Sequence, residues 1–439
     1  MEKLRETLRV KKERAILVAA IRRGRGRDDA DNLQELTALA QSAGAIVVDR
    51  FQQKVNRINP ATYIGKGKAN QLAERVTRFD ADVIIFDNDL SPAQIRELEE
   101  IVKIKVLDRS ELILDIFATR AKTRQARLQV SLAQLEYTYP RLAKMWSHLD
   151  TVAAAGGTAA GAVGGIGTRG TGEQQLEIDR RLVNKRITEL KRELEIIDKR
   201  RIREIDARKA MFKVCIVGYT NAGKSTLLNK LTNADVFVED RLFATLDTRT
   251  KKWKPDRGVE ILLSDTVGFV KNLPHQLVAS FKATLEEAVN ADLLLHIIDA
   301  SNEDAQKQIN SVNKVLAEIG CKGVPVIEVL NKVDALKDIS NLEILQTLYP
   351  DAVSISAKTG MDLDSLANVV MQKYKGNDVL LHVSSKQSNG KVQSFLRAHG
   401  TIIDEQYEDG FVNIEARLGK NQLPELKKLR PHKLKVMNT

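Results

Sequence analysis

The run Gly218-Tyr-Thr-Asn-Ala-Gly223-Lys224-Ser225-Thr226 constrains this chain more than any other segment. Before it stands the apolar run Met211-Phe-Lys-Val-Cys-Ile-Val217, and after it Leu227-Leu-Asn-Lys-Leu231, so the spacing predicts a loop between a buried strand and a helix. In that setting G-x-x-x-x-G-K-S has a chemical meaning. Its glycines let backbone N–H groups wrap phosphates, Lys224 reaches the β- and γ-phosphates, and the Ser225 hydroxyl binds Mg²⁺. Gly218, Tyr219, Thr220, Asn221, Ala222, Gly223, Lys224, Ser225 and Thr226 are therefore the first candidate nucleotide contacts.

Two later motifs select the base. The strand-like run 326–330 ends in Asn331-Lys332-Val333-Asp334, where the Asp334 carboxylate can accept from the N1–H and 2-amino donors of guanine. Adenine lacks that donor pair, and the unmet carboxylate then rejects it. Ser354-Ile-Ser356-Ala357-Lys358 suits a loop whose backbone amide faces the guanine O6, which adds Ser356, Ala357 and Lys358. Between the phosphate and base motifs, Asp265-Thr266-Val267-Gly268 closes another strand-like run. Asp265 would hold Mg²⁺ through water, and the Gly268 amide would sense the γ-phosphate. Upstream, Thr245 is the choice for a second Mg²⁺ hydroxyl and Thr248 the alternative. Lys224, Thr245 and Gly268 are the residues expected to act in catalysis, and hydrolysis would release the loops that the γ-phosphate orders. Phe269 stands where many GTPases carry the glutamine that orients water, so slow intrinsic turnover with stimulation by a partner is expected. Asn221 reads either as a K⁺ ligand or as a loop residue with a satisfied amide.

The rest of the chain is read from pattern. With 439 residues, two to four domains are expected. The first, residues 1–120, alternates strand-like runs at 15–21, 45–50, 82–87 and 104–108 with helical patterns at 31–43, 68–79 and 91–102, as a small parallel α/β domain should. Over residues 121–210 the pattern is helix only. Leu128, Leu132, Leu135, Tyr139, Leu142, Trp146 and Leu149, then Val183, Ile187, Leu190, Leu194 and Ile197, predict an antiparallel helical hairpin. Pro140 should kink its first helix. A glycine-rich loop at 155–172 joins the two, readable as a linker or as a tip that orders against a partner. Residues 211–376 form the P-loop domain, a Rossmann-like sheet with helices on both faces, and 377–439 a small α+β domain with a basic tail from Lys427 to Lys435. The fold class is thus multidomain α/β.

Sixty-nine Lys and Arg against 58 Asp and Glu give a net charge of +11, which favours contact with nucleic acid. Two cysteines, with no apolar leader, no bilayer-spanning run and no prenylation motif, predict a cytoplasmic protein without a membrane anchor, expected as a monomer. Cys215 and Cys321 suggest no metal spacing, and His296, in an apolar run, reads as core.

Taken together, Phe243-Ala-Thr-Leu-Asp247, Asp265-Thr-Val-Gly-Phe269, Leu273-Pro274-His275 and Phe281-Lys-Ala-Thr-Leu-Glu-Glu287 resemble the GTPase domain of the HflX family, of the Obg–HflX group. Tyr63-Ile-Gly-Lys-Gly67-Lys68, Leu128-Gln-Val-Ser-Leu-Ala-Gln-Leu-Glu-Tyr137 and Pro140-Arg141-Leu142 extend the resemblance over nearly the full chain. One motif departs. The family usually has G-P-G-E-T-x-L-E, and here Gly170-Thr171-Gly172-Glu173-Gln174-Gln175-Leu176-Glu177 keeps both glutamates and loses the proline and threonine. The resemblance implies a Mg²⁺-dependent GTPase that binds the large ribosomal subunit and ribosomal RNA, and that separates stalled or idle ribosomes under stress; ribosome assembly or another RNA is the alternative client. Some members also hydrolyse ATP through the N-terminal domain, where Gly65-Lys66-Gly67-Lys68 could serve an anion, although a plain helix start is the better reading.

Overall fold

The computed structural model describes residues 12–22, 33–155, 171–206, 211–232, 242–243, 249–256, 259–271, 287–321, 323–336, 338–376, 378–408, 410–419 and 422–437. For 22, 140–155, 171–179, 200–206, 375–376, 378 and 424 it describes the backbone alone. Thr245, Thr248, the glycine-rich loop at 156–170 and the motif segments 273–275 and 281–286 lie outside these residues. The chain divides into two compact units, one built mainly from residues 1–196 and the other mainly from 197–439.

In the first unit, β1 (Arg14–Arg22), β2 (Ile46–Val55), β3 (Val83–Phe86) and β4 (Lys105–Asp108) make a parallel sheet of order β2-β1-β3-β4. Helices α1 (Leu33–Ser42), α2 (Lys66–Phe79) and α3 (Pro92–Val102) are the crossovers that parallel strands require. Every residue of β3 is buried, as a strand covered on both faces should be. Ser91 caps α3: its hydroxyl accepts from the Gln94 N–H while the Gln94 side chain returns to the Ser91 N–H, with Pro92 in the first turn. At the start of α2, Lys68 Nζ donates to Gln71 Oε1 at 2.8 Å and lies 5.7 Å from the Phe51 ring centroid.

After α4 (Arg109–Arg120), the long helices α5 (Arg124–Ala155) and α6 (Thr171–Asp206) pack as the antiparallel hairpin that the apolar stripes predict. Leu132, Leu190 and Leu194 are buried between them, flanked by Leu128, Leu135 and Ile187. Arg124 pairs with Glu193, and farther along α5 the Tyr139 hydroxyl accepts from Arg180 and Asn184, which sets the opposed direction. Helix α5 runs through Pro140 as one element, so the proline does not end it. Residues 242–243 belong with this unit: Phe243 is buried, its ring centroid 4.5 Å from that of Phe117, and the Leu242 N–H donates to Ser42 Oγ at 3.3 Å.

The second unit holds a six-stranded sheet of order β10-β9-β8-β5-β7-β6, made of β5 (Phe212–Gly218), β6 (Arg249–Asp256), β7 (Val259–Asp265), β8 (Leu293–Asp299), β9 (Val326–Asn331) and β10 (Val353–Ser354). All neighbours are parallel except β6, an antiparallel edge on β7. Helices α7 (Lys224–Thr232), α8 (Ala305–Ile319), α9 (Ser340–Leu348) and α10 (Leu363–Gly376) cover it. One apolar layer centres on Ile216, Leu263, Leu295 and Val329, and another on Ile298, Ile309, Leu330 and Leu345, so both faces are packed. No helix among the described residues is long and apolar enough to cross a membrane.

A third, antiparallel sheet follows in the same unit: β11 (Asp378–Lys386), α11 (Gly390–His399), β12 (Gly400–Glu408), β13 (Phe411–Gly419), α12 (Leu423–Lys428) and β14 (Lys433–Met437), with strand order β12-β13-β11-β14. The basic run from Lys427 to Lys435 is thus no trailing tail. It ends α12 and enters β14, which pairs with β11.

Candidate nucleotide site

Those predicted residues that are described follow the carboxyl ends of β5, β7, β9 and β10, where a doubly wound sheet leaves its crevice. Two P-loop glycines are fixed by space as well as by torsion. Gly218 has φ +149°, and a Cβ there would strike the Ile297 carbonyl oxygen. Gly223 has φ +97°, and its Cβ would strike the Asn331 amide nitrogen. Asn221 also has positive φ, at 61°, and is exposed.

Lys224 opens α7 and is 6% exposed, with Nζ donating to the Tyr219 carbonyl at 2.7 Å. The next hydroxyl, Ser225 Oγ, donates to Asp265 Oδ2 at 2.6 Å, bringing the two expected Mg²⁺ residues together. Asp265 is fully buried, and the neighbouring Thr266 hydroxyl ties the end of β7 to β5 by donating to the Ile216 carbonyl at 2.8 Å. Gly268 passes the P-loop so closely that a Cβ would lie 2.7 Å from Thr220 Cγ2 and 3.0 Å from Lys224 Nζ.

Asn331 does more than its motif predicts. Its Nδ2 donates to the Ala222 carbonyl at 2.7 Å, and its Oδ1 accepts from the Ala357 N–H at 2.9 Å. One buried side chain therefore joins the phosphate loop to both base-side loops. Lys332 has φ 64° and pairs with Asp299 Oδ2 at 2.7 Å. Asp334 Oδ1 accepts from Ser356 Oγ at 2.6 Å, while Lys358 and Thr226 sit nearer the surface. Sequence reading missed Asp299, whose signal was its place at the end of the apolar run before the base motif. Tyr219, named from the motif, has a bond the motif does not predict: its hydroxyl accepts from the Lys271 N–H at 2.7 Å.

Phe269 touches the P-loop through its backbone. Its N–H donates to the Gly218 carbonyl at 3.2 Å, and its carbonyl accepts from the Thr220 N–H at 2.8 Å. The ring is only 2% exposed, so this side chain is core. Phe269→Gln should not speed hydrolysis and should lower the unfolding free energy by about 3–5 kcal/mol, the range for deleting a buried aromatic. Denaturant melts beside single-turnover hydrolysis check this; faster turnover at unchanged stability would contradict it.

Burial pushes the Lys224 ammonium down to about 8, against the pull of the Asp265 carboxylate, which raises it. Triphosphate oxygens beside Nζ would draw that value up. At pH 8, where the free side chain is about half protonated, GTP binding should take up about half a proton, and at pH 6 none. Calorimetry in buffers of different ionisation enthalpy reads this directly; Lys224→Met should abolish the uptake. His296 is buried on β8, and burial first, then the Lys224 charge, push it down to about 4, so the imidazole stays neutral. Cys215 and Cys321 are free thiols, and the described residues contain no metal-binding cluster of His, Cys, Asp and Glu.

Comparison with known proteins gives the family. Residues 213–332 match a family model described as 50S ribosome-binding GTPase, with the GTP-binding GTPase N-terminal model on 30–118 and the middle-region model on 120–208. The GTPase HflX of Lacrimispora saccharolytica is 44% identical over 412 residues, covering 91% of this chain and 93% of that one. That of Caldanaerobacter subterraneus subsp. tengcongensis is 42% identical, over 94% and 92%. Among solved structures, a GTP-binding protein from Sulfolobus solfataricus in complex with GDP aligns at 24% identity and TM-score 0.42, covering 82% of this chain and 98% of that chain. Both relatives are spanned almost end to end, and the chain belongs to the HflX family of GTPases.

Proposed function

We propose that this GTPase is Mg²⁺-dependent, acts on the large ribosomal subunit and separates stalled or idle ribosomes under stress. The observation that carries the nucleotide half is the Asn331 clamp, which holds the Ala222 and Ala357 loops at one buried side chain. The ribosome half is supported by the 50S ribosome-binding description of the model matched by residues 213–332 and by the net charge of +11.

Ser225 and Asp265 fit a magnesium ion: they are hard oxygen donors 2.6 Å apart, and Asp265 is fully buried. Held there, such an ion would supply positive charge to the terminal phosphates. Lys224 adds a fixed positive charge beside the same oxygens. The Gly268 N–H donates to the γ-phosphate, and Asp334 holds the guanine edge. Thr245 supplies the second hydroxyl. With the Phe269 ring in the core, no side chain at that position orients water, and turnover waits on the ribosome.

The test is GTP hydrolysis by the purified chain, alone and with large ribosomal subunits, in K⁺ and in Na⁺. Slow turnover alone and at least tenfold stimulation by mature subunits are expected. Stimulation only by assembly precursors would move the client to ribosome assembly. No stimulation by either would remove the ribosome from the reading. A K⁺-specific rate would assign Asn221 to the cation.

A further inference from the structure

The C-terminal sheet follows a β-α-β-β-α-β order in which both helices pack on one face. Leu381, Val383, Val412, Ile414, Ala416 and Leu418 point into that helical side. By the two-residue period of strands, the alternate residues line the other face. The register sets His382 between Glu415 and Lys435, Ser384 between Asn413 and Lys433, and Lys386 opposite Phe411.

Charge on this open face is sorted. The β11–β14 half carries exposed Lys386, Lys433 and Lys435 with exposed His382 beside them, and the one acid in either strand is Asp378, at the end of β11 away from Lys386. The other acids of this face are Glu415 on β13, opposite His382, and Asp404 and Glu408 on β12 at the far edge. Among the described residues, Lys386, Lys433 and Lys435 make no salt bridge. Beyond the strand, Lys427 and Arg430 are exposed as well, and residues 426–437 contain no acidic residue. At the same end, the Phe411 ring stands 4.8 Å from the His432 ring.

We infer that the β11–β14 half of this open face binds a single strand of RNA. Lysines at alternate positions of β14 stand about 7 Å apart along the strand and meet successive phosphates of an extended backbone. His382 and Phe411 lie on the two strands, β11 and β13, from whose equivalents RRM-type sheets stack bases. Topology of this kind hosts many functions, so the charge sorting and the rings carry the inference rather than the fold. It stands apart from the ribosome reading, because it is tested with isolated RNA.

The probe is a fluorescent 20-nucleotide polyuridine strand, titrated by anisotropy against the full GDP-bound chain at several salt concentrations. Lys433→Gln with Lys435→Gln should weaken binding about tenfold and reduce the salt slope by about 1.4, the value for two lost phosphate contacts on a single strand. His382→Ala should weaken binding further with no change in slope. GTP hydrolysis without ribosomes should be unchanged in all of these, which shows that they fold. Lys307→Gln with Lys314→Gln, an equal charge loss on exposed α8, should leave RNA affinity within twofold. Equal loss in that control, an unchanged slope in the β14 variant, or equally tight binding of polyglutamate would overturn the inference.

Discussion

Asp334→Asn should cost GTP affinity about 10²- to 10⁴-fold and give the protein useful affinity for xanthosine triphosphate. The carboxylate follows β9, with Oδ1 accepting from Ser356 Oγ at 2.6 Å, and the Ser356 loop is itself tied to β9 through Asn331. Its geometry is therefore set by two neighbouring loops before any base arrives. Guanine offers a paired N1–H and amino donor, and hydrogen bonds to a charged acceptor contribute about 1.5–3 kcal/mol each. An asparagine turns one acceptor into a donor, so one guanine donor then faces another donor. Xanthine carries a carbonyl in place of the amino group and restores the match. Competition binding of GTP, XTP and ATP at one Mg²⁺ concentration measures this. Retained GTP selectivity would remove Asp334 from base recognition.

How much of this was legible in sequence differs from element to element. Apolar runs marked β1, β3, β5 and β8 because those strands are buried on both faces and read as continuous hydrophobic stretches. Ser91-Pro92 marked α3 because its capping chemistry is local. Leu128, Leu132, Ile187 and Leu190 marked the hairpin because a two-helix seam repeats every three or four residues. In contrast, β6 was hidden. Its sequence, Arg249-Thr-Lys-Lys-Trp-Lys-Pro-Asp256, buries only Trp253, as an exposed edge strand does, and only pairing with β7 defines it. Strand β14 was hidden for the same reason, its lysines reading as a tail. At the site, motif spacing named residues but not their mutual bonds. Asn331 reads as part of the guanine motif, yet its two hydrogen bonds go to loops more than 25 residues away on either side, a relation no local pattern carries. Phe269 shows the converse: position suggested a gap in the water-orienting machinery, and burial explains it by making the ring part of the core.

Gly268→Ala should separate binding from hydrolysis. The added methyl would meet Thr220 Cγ2 at 2.7 Å, Thr220 Cα at 2.9 Å and Lys224 Nζ at 3.0 Å. Backbone of the P-loop stands on one side, and on the other Phe269 is anchored to Gly218 and Thr220 by two hydrogen bonds. Relief comes most easily by moving the Gly268 peptide away from the phosphates, because the P-loop is also held by Asn331. That peptide is the expected γ-phosphate donor, and loss of one such preorganised donor typically lowers a turnover rate about 10²- to 10³-fold. GDP has no γ-phosphate, so its affinity should stay within about threefold of the parent. Lys224→Ala differs, since it removes the charge beside both terminal phosphates and should weaken GDP and GTP together. Stopped-flow binding of a fluorescent GDP analogue, set beside single-turnover GTP hydrolysis, distinguishes the two variants. If Gly268→Ala lost GDP affinity as severely as it lost hydrolysis, the methyl would be breaking the P-loop itself, and the Gly268 amide would have no separate part in sensing the γ-phosphate.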